Sequence, residues 1–129
     1  MDFSKLNNKI FFENKFINSK DAKIHVLNHS LHFATSVFEG IRIYNKKPLF
    51  IYDHIERLFV SSKIMRLNIS YSQKKVYDTM KKLIKINNLV NGYIRPIIYR
   101  SSHSMSPETY DCKTLVAIAC WKWGTLFSN

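Results

Sequence analysis

HVLNHSLHFATSVFEG, residues His25–Gly40, runs on into Ile41 and Arg42. Its second half changes character at Ser36. From there to Tyr44, Val37, Glu39, Ile41 and Ile43 fall on one side, with Phe38, Gly40, Arg42 and Tyr44 on the other. That period of two predicts a strand with two chemically different faces. Asn45–Pro48 supplies turn residues and Leu49–Tyr52 reads as a returning strand, so a hairpin is predicted.

Working outward, Ile10–Ile17 reads as an opening strand broken by turn residues at Glu13–Lys15, and Lys23–Val26 as a short extended piece. After the hairpin the period changes from two to helical. A helix is predicted from Asp53, with Glu56 placed to complete a capping box. Ile55, Leu58, Phe59, Ser62 and Met65 form its buried stripe. Ser70 opens a second helix, with Gln73 at the same offset. Val76, Met80, Leu83, Ile84 and Asn87 line one face, and Asn87–Gly92 ends it. Tyr93–Arg100 and Thr114–Lys122 complete the pattern as strands around a Ser-rich loop. Strands, then two helices, then strands predict one α+β domain over residues 1–129, a largely antiparallel sheet with both helices on one face.

Composition bounds the function. The 129 residues are 46% hydrophobic and 14% aromatic, enough apolar material for a core. Apolar runs are too short to span a bilayer, and the N-terminus lacks the apolar block of a signal peptide, so a cytoplasmic, non-membrane protein is expected. A net charge of +11 raises nucleic-acid binding, or a noncatalytic basic module, as an alternative. The charge is mostly scattered lysine, and Lys74, Lys75, Lys81, Lys82 and Lys85 share the solvated side of one helix. Nothing interleaves aromatic with basic residues as single-strand binders do. His25, His29 and His32 cluster without a carboxylate or cysteine nearby, so no metal site is expected. Cys120 reads as a core residue and Cys112 as a loop position.

Several residues carry chemistry by type and spacing. Arg57 sits one turn into a helix beside the buried stripe; pointing inward it needs an anion, and its planar fork matches phosphate oxygens. Phe38 and Gly40 share a strand face, a ring to wall a pocket and a glycine that allows close approach. Tyr93 and Arg95, also two apart, present a hydroxyl and a guanidinium on one face, a pair able to bind a carboxylate. The structural alternative is an ordinary strand whose edge Pro96 marks.

Four segments, in order, carry a family resemblance: HVLNHSLHFATSVFEG with Ile41–Arg42, HIERL at His54–Leu58, SSKIMRLNIS at Ser61–Ser70 and GYIRP at Gly92–Pro96. Together they resemble the N-terminal domain of branched-chain amino acid aminotransferases, fold-type IV pyridoxal-phosphate enzymes. The resemblance implies that Arg57 holds the phosphate of pyridoxal 5'-phosphate and that Phe38, Gly40, Tyr93 and Arg95 surround the substrate, Arg95 engaging the side-chain carboxylate of glutamate. Phe33 stands where the family commonly has a tyrosine that reaches the partner subunit's pocket in a homo-oligomer. The loop Arg100–Pro107 is similar to a glycine-richer segment that covers the neighbouring site. The substrates implied are leucine, isoleucine or valine with 2-oxoglutarate.

In that family the lysine that carries the cofactor, and the carboxylate facing its pyridine nitrogen, lie in a later domain. The resemblance therefore implies no catalytic residue within 1–129, a chain inactive alone, and an interdomain connection near Trp121–Asn129. A truncated or split gene product is expected, with a second polypeptide as a possible source of the large domain. D-amino acid transaminases and aminodeoxychorismate lyases share the arginine and the general plan; FEGIR with GYIRP favours the branched-chain group.

Overall fold

A computed structural model describes residues 2–108 and 112–124. Residues 125–129 of the expected interdomain connection lie outside the described residues. Seven strands form one antiparallel sheet: β1 Lys9–Phe12, β2 Lys15–Asn18, β3 Ser36–Phe38, β4 Ile41–Tyr44, β5 Lys47–Pro48, β6 Gly92–Arg100 and β7 Thr114–Trp121. Their order is β2-β1-β7-β6-β4-β5, with β3 also paired to β6. Helices α1 His29–Phe33, α2 Ile51–Ile64 and α3 Gln73–Ile86 complete the fold.

The two long helices pack on one face, as the periodicity predicts. Ile41, Ile43, Ile94, Ile98 and Ile118 from the sheet meet Ile55, Leu58, Met80 and Leu83 from α2 and α3, all essentially sealed from water. Burying such a side chain contributes about 1.5–3 kcal/mol, so this layer holds the domain together. Ser72, not Ser70, caps α3, its side chain accepting from the Lys75 N–H at 3.1 Å. At the other end Asn87 accepts from the Lys9 N–H at 2.7 Å and donates to the Lys9 carbonyl at 2.9 Å, tying α3 to β1.

Several further expectations need correction. Ser36–Tyr44 is two strands rather than one, broken at Glu39–Gly40. Pro96 is the reason: it has no N–H to donate to the ladder. The break lies opposite it, with its carbonyl accepting from the Glu39 N–H at 3.1 Å. β6 is accordingly interior, paired along its length with β7 and on its other side with β3 and β4, and Pro96 marks a gap in the ladder, with the register kept on both sides of it, instead of an edge. Leu49–Tyr52 is not a strand: Phe50 takes a left-handed φ of 45°, reverses the chain, and lets α2 begin at Ile51. Asp53 is therefore an acidic residue of the first turn, where it complements the helix dipole, and no capping box forms.

Finally, Lys23–Val26 is irregular, and α1 follows it unpredicted. A five-residue helix leaves little periodic signal; its marker is Asn28, whose side chain accepts from the Ser30 N–H at 3.0 Å. Both hairpin turns carry two non-glycine residues at positive φ, Glu13–Asn14 and Asn45–Lys46. That turn geometry matches the twist of the flanking strands.

Candidate functional site

Around the break in the sheet, three consecutive residues face two different sides. Glu39 turns toward α2 and is only 6% exposed. Its carboxylate accepts from Arg57 Nε at 2.6 Å and Nη2 at 2.7 Å, a fork-to-fork pair, and meets His54 Nδ1 at 2.8 Å. The Arg57 hydrogen bonds, and secondarily His54, hold the Glu39 carboxyl below its ordinary value of 4.5 against the opposing effect of burial. Glu39 is thus ionised and can only accept, so His54 must carry its proton on Nδ1. The 3.4 Å approach of Arg57 Nη2 to that nitrogen is then contact between two donors, not a hydrogen bond. Arg57 itself stays 66% exposed, and among the described residues its Nη1 has no partner.

Phe38 and Gly40 face the opposite side. There Arg95 lies over the Phe38 ring at 4.6 Å, and near Tyr93 at 5.5 Å and Trp121 at 5.9 Å. One Arg95 nitrogen donates to the Tyr93 hydroxyl at 3.3 Å, while its buried Nε has no partner among the described residues. Tyr93 in turn packs against Trp121 and Trp123 at 5.1 and 4.9 Å. The missing side chain of Gly40 makes room for Tyr93: a Cβ there would lie 1.6 Å from the tyrosine oxygen. Arg42, directly opposite Tyr93 across the strands, donates to the Gly124 carbonyl at 3.1 Å, and its buried Nε and Nη1 have no partner among the described residues. Two half-buried arginines therefore share an aromatic face, and among the described residues neither has a carboxylate partner. Such a face suits an anionic ligand with an apolar part.

Phe38, Gly40, Tyr93 and Arg95 are brought together. Arg57 stands on the other side of the same break, and Phe33 stands apart, its ring 4.5 Å from that of His29 and 42% exposed. The clustered histidines have separate structural duties. Buried His29 bridges Thr35 Oγ1 at 2.8 Å and the Ser106 carbonyl at 3.1 Å, His32 reaches the Val26 carbonyl, and His25 accepts from the Leu27 N–H. No group of three metal-binding side chains occurs among the described residues. Within Arg100–Pro107 no residue needs a positive φ, so serine serves there without strain. Both cysteines are buried and unpaired, and burial pushes the Cys120 thiol up to about 11. The lysines of α3 lie on its exposed side.

Sequence reasoning passes over Glu39, Arg42, Trp121 and Trp123 as site residues. The face alternation places Arg42 beside Phe38 and Gly40, which is the available signal. It also puts Glu39 on the core-facing side without a partner; a buried carboxylate in that position demands a cation, and Arg57 is the candidate.

The antiparallel sheet thus carries a forked Glu–Arg pair on one side of a strand break and, on the other, two arginines with unsatisfied buried nitrogens among aromatic rings. A profile of the amino-transferase class IV family matches residues 36–125, and the chain belongs to that family. It is 39% identical over 122 residues to a branched-chain-amino-acid aminotransferase of Escherichia coli and 35% identical over 119 residues to one of Pseudomonas aeruginosa. Each alignment covers 89% of this chain and 39% of the relative, so the chain spans about two-fifths of their length. Among solved structures, the E. coli branched-chain aminotransferase superimposes with a TM-score of 0.86 at 36% identity, over 92% of this chain and 42% of that one. The T.th. branched-chain amino acid aminotransferase with pyridoxamine 5'-phosphate gives 0.87 at 29% identity, over 95% and 42%. No helix among the described residues is long and apolar enough to cross a membrane.

Proposed function

We propose that this chain forms the small domain of a cytoplasmic branched-chain amino acid transaminase, which moves the amino group of leucine, isoleucine or valine to 2-oxoglutarate. The observation that carries the proposal is Arg95: half-buried on aromatic rings, with an unpaired Nε and no acidic partner among the described residues. A guanidinium is weakly hydrated across its faces and a strong donor at its edge. An aliphatic side chain can lie against the Phe38–Arg95–Trp121 surface, whereas the second carboxylate of glutamate can take the edge. One site thereby serves both half-reactions.

Pyridoxal 5'-phosphate fits at its phosphate end. Arg57 offers a solvent-facing guanidinium edge, and such an edge would form charge-assisted bonds to the phosphate. When bound, the cofactor supplies the electron sink for amino-group transfer. Arg57 would anchor its phosphate, Arg95 and Tyr93 would orient the substrate carboxylate, and Phe38 would shield the pocket from water. Exposed Phe33 would reach toward a partner subunit. The cofactor lysine would come from a segment outside these 129 residues, on the same polypeptide or a second one.

The test is to supply residues 1–129 with a lysine-bearing large-domain chain from the E. coli relative and assay amino-group transfer. Turnover of leucine with 2-oxoglutarate supports the proposal. Turnover of D-alanine alone would move the assignment to a D-amino acid transaminase, and release of an aromatic amine from aminodeoxychorismate to a lyase.

A further inference from the structure

We propose that Glu39 is the positioning residue of a phosphate site in which Arg57 holds the ligand, acting by fixing the plane of the guanidinium rather than by competing for its charge. The inference rests on the reading of Arg57 given above and adds a residue to it. Glu39 is set by its surroundings: its own N–H is bonded to the Pro96 carbonyl at 3.1 Å, and its side chain is almost fully buried. Arg57 is not. It projects from α2 with two-thirds of its side chain in solvent, where a long side chain loses its rotamer freedom only if something holds it.

Glu39 holds it at a particular edge. Of the five N–H donors of a guanidinium, the Nε hydrogen and one Nη2 hydrogen point to Glu39. The second Nη2 hydrogen and the Nη1 hydrogen parallel to it form the outer fork, which can take two phosphate oxygens at once, while the other Nη1 hydrogen points back along the side chain. His54 also meets Oε2 of the carboxylate, at 2.8 Å, and so anchors Glu39 beside the arginine. The competing possibility is that Glu39 occupies Arg57 as a surrogate anion. The two differ in sign. Loss of the carboxylate would tighten phosphate binding if charge competition dominated. It would weaken binding if alignment dominated, as expected for a solvent-exposed guanidinium whose charge is screened by salt but whose fork must be aligned.

The probe is pyridoxamine 5'-phosphate, which has no aldehyde to label lysines at random, titrated into the chain of residues 1–129 and followed by the Arg57 side-chain NMR signal. Before ligand is added, the wild-type Arg57 Nε–H should be rigid by heteronuclear NOE and Glu39→Gln should make it mobile, with amide spectrum and melting temperature checked for an intact fold. On titration, Glu39→Gln should weaken binding about tenfold, the scale on which residues orienting a ligating side chain act, and Arg57→Lys should lose most of it although the charge is kept. Equal or tighter binding by Glu39→Gln, with binding lost in Arg57→Ala, overturns the positioning role and leaves the phosphate assignment standing. Wild-type binding by Arg57→Ala, or no response of the wild-type chain into the millimolar range, overturns both. If Glu39→Gln does not fold, Glu39→Asp, which keeps the charge but falls short of the fork, should show the same weakening and mobility, and wild-type behaviour from it overturns the proposal.

Discussion

A methyl group added at Gly40 would have to occupy space held by Tyr93. A Cβ placed there lies 1.6 Å from the tyrosine oxygen and 2.6 Å from Cζ, whereas carbon atoms in contact sit about 3.5–4.0 Å apart. The ring must therefore swing by about 2 Å to restore ordinary contact. It has nowhere easy to go, since it packs on Trp121 and Trp123 and receives a hydrogen bond from Arg95. Weakening two aromatic contacts costs about 0.5–1.5 kcal/mol each, and losing the hydrogen bond about 1 kcal/mol. The φ of Gly40 is not positive, so alanine adds no backbone strain and should return about 0.4–1 kcal/mol through the unfolded chain. Gly40→Ala should thus destabilise by about 1–3 kcal/mol. Urea unfolding followed by tryptophan fluorescence measures this, and near-UV circular dichroism should report the disturbed Tyr93–Trp cluster. In a Tyr93→Ala background the same substitution should be nearly neutral. Wild-type stability with an unchanged near-UV spectrum, or equal costs in both backgrounds, would refute the reasoning.

Further outcomes are expected elsewhere. Asn87→Ala should cost about 1–3 kcal/mol in denaturant unfolding, because it strands the Lys9 N–H and carbonyl at the end of α3. Met80→Ala, at a site sealed from water, should cost about 2–5 kcal/mol by cavity formation. Because the folded-state pKa of Glu39 lies below its ordinary 4.5, its contribution to stability is complete above that pH and lost as pH falls through the lowered value. Glu39→Gln should therefore flatten the acid limb of a stability–pH curve measured below about pH 4.5 and change its neutral region little in slope.

What the sequence disclosed follows from how each signal arises. The stripes of α2 and α3 and the faces of β4, β6 and β7 are periodic over many residues, so they survive reading one residue at a time. The failures were points where a single backbone angle or a distant partner decides. Phe50 in a left-handed conformation starts α2 two residues before Asp53, and nothing about phenylalanine announces that. Pro96 reads as an edge marker until the break at Glu39–Gly40 is seen beside it. The site divides in the same way. Phe38, Gly40, Tyr93 and Arg95 were legible because spacing by two puts them on shared faces. The Glu39–Arg57 pair joins residues 18 apart; the alternation signals that Glu39 needs a cation, and the folded chain shows which one it meets.

The central claim is that Arg57 and Arg95 contribute separate contacts to one transaminase site. The most direct measurement uses residues 1–129 assembled with a lysine-bearing large-domain chain, comparing wild type with Arg57→Ala and Arg95→Ala. Cofactor dissociation and the half-reaction rates with glutamate and leucine are read for each. Arg57→Ala should speed cofactor loss. Arg95→Ala should penalise glutamate over leucine by about 1.5–3 kcal/mol, the scale of a hydrogen bond to a charged group. Equal losses on both amino acids for Arg95→Ala, or unchanged cofactor retention for Arg57→Ala, would contradict it.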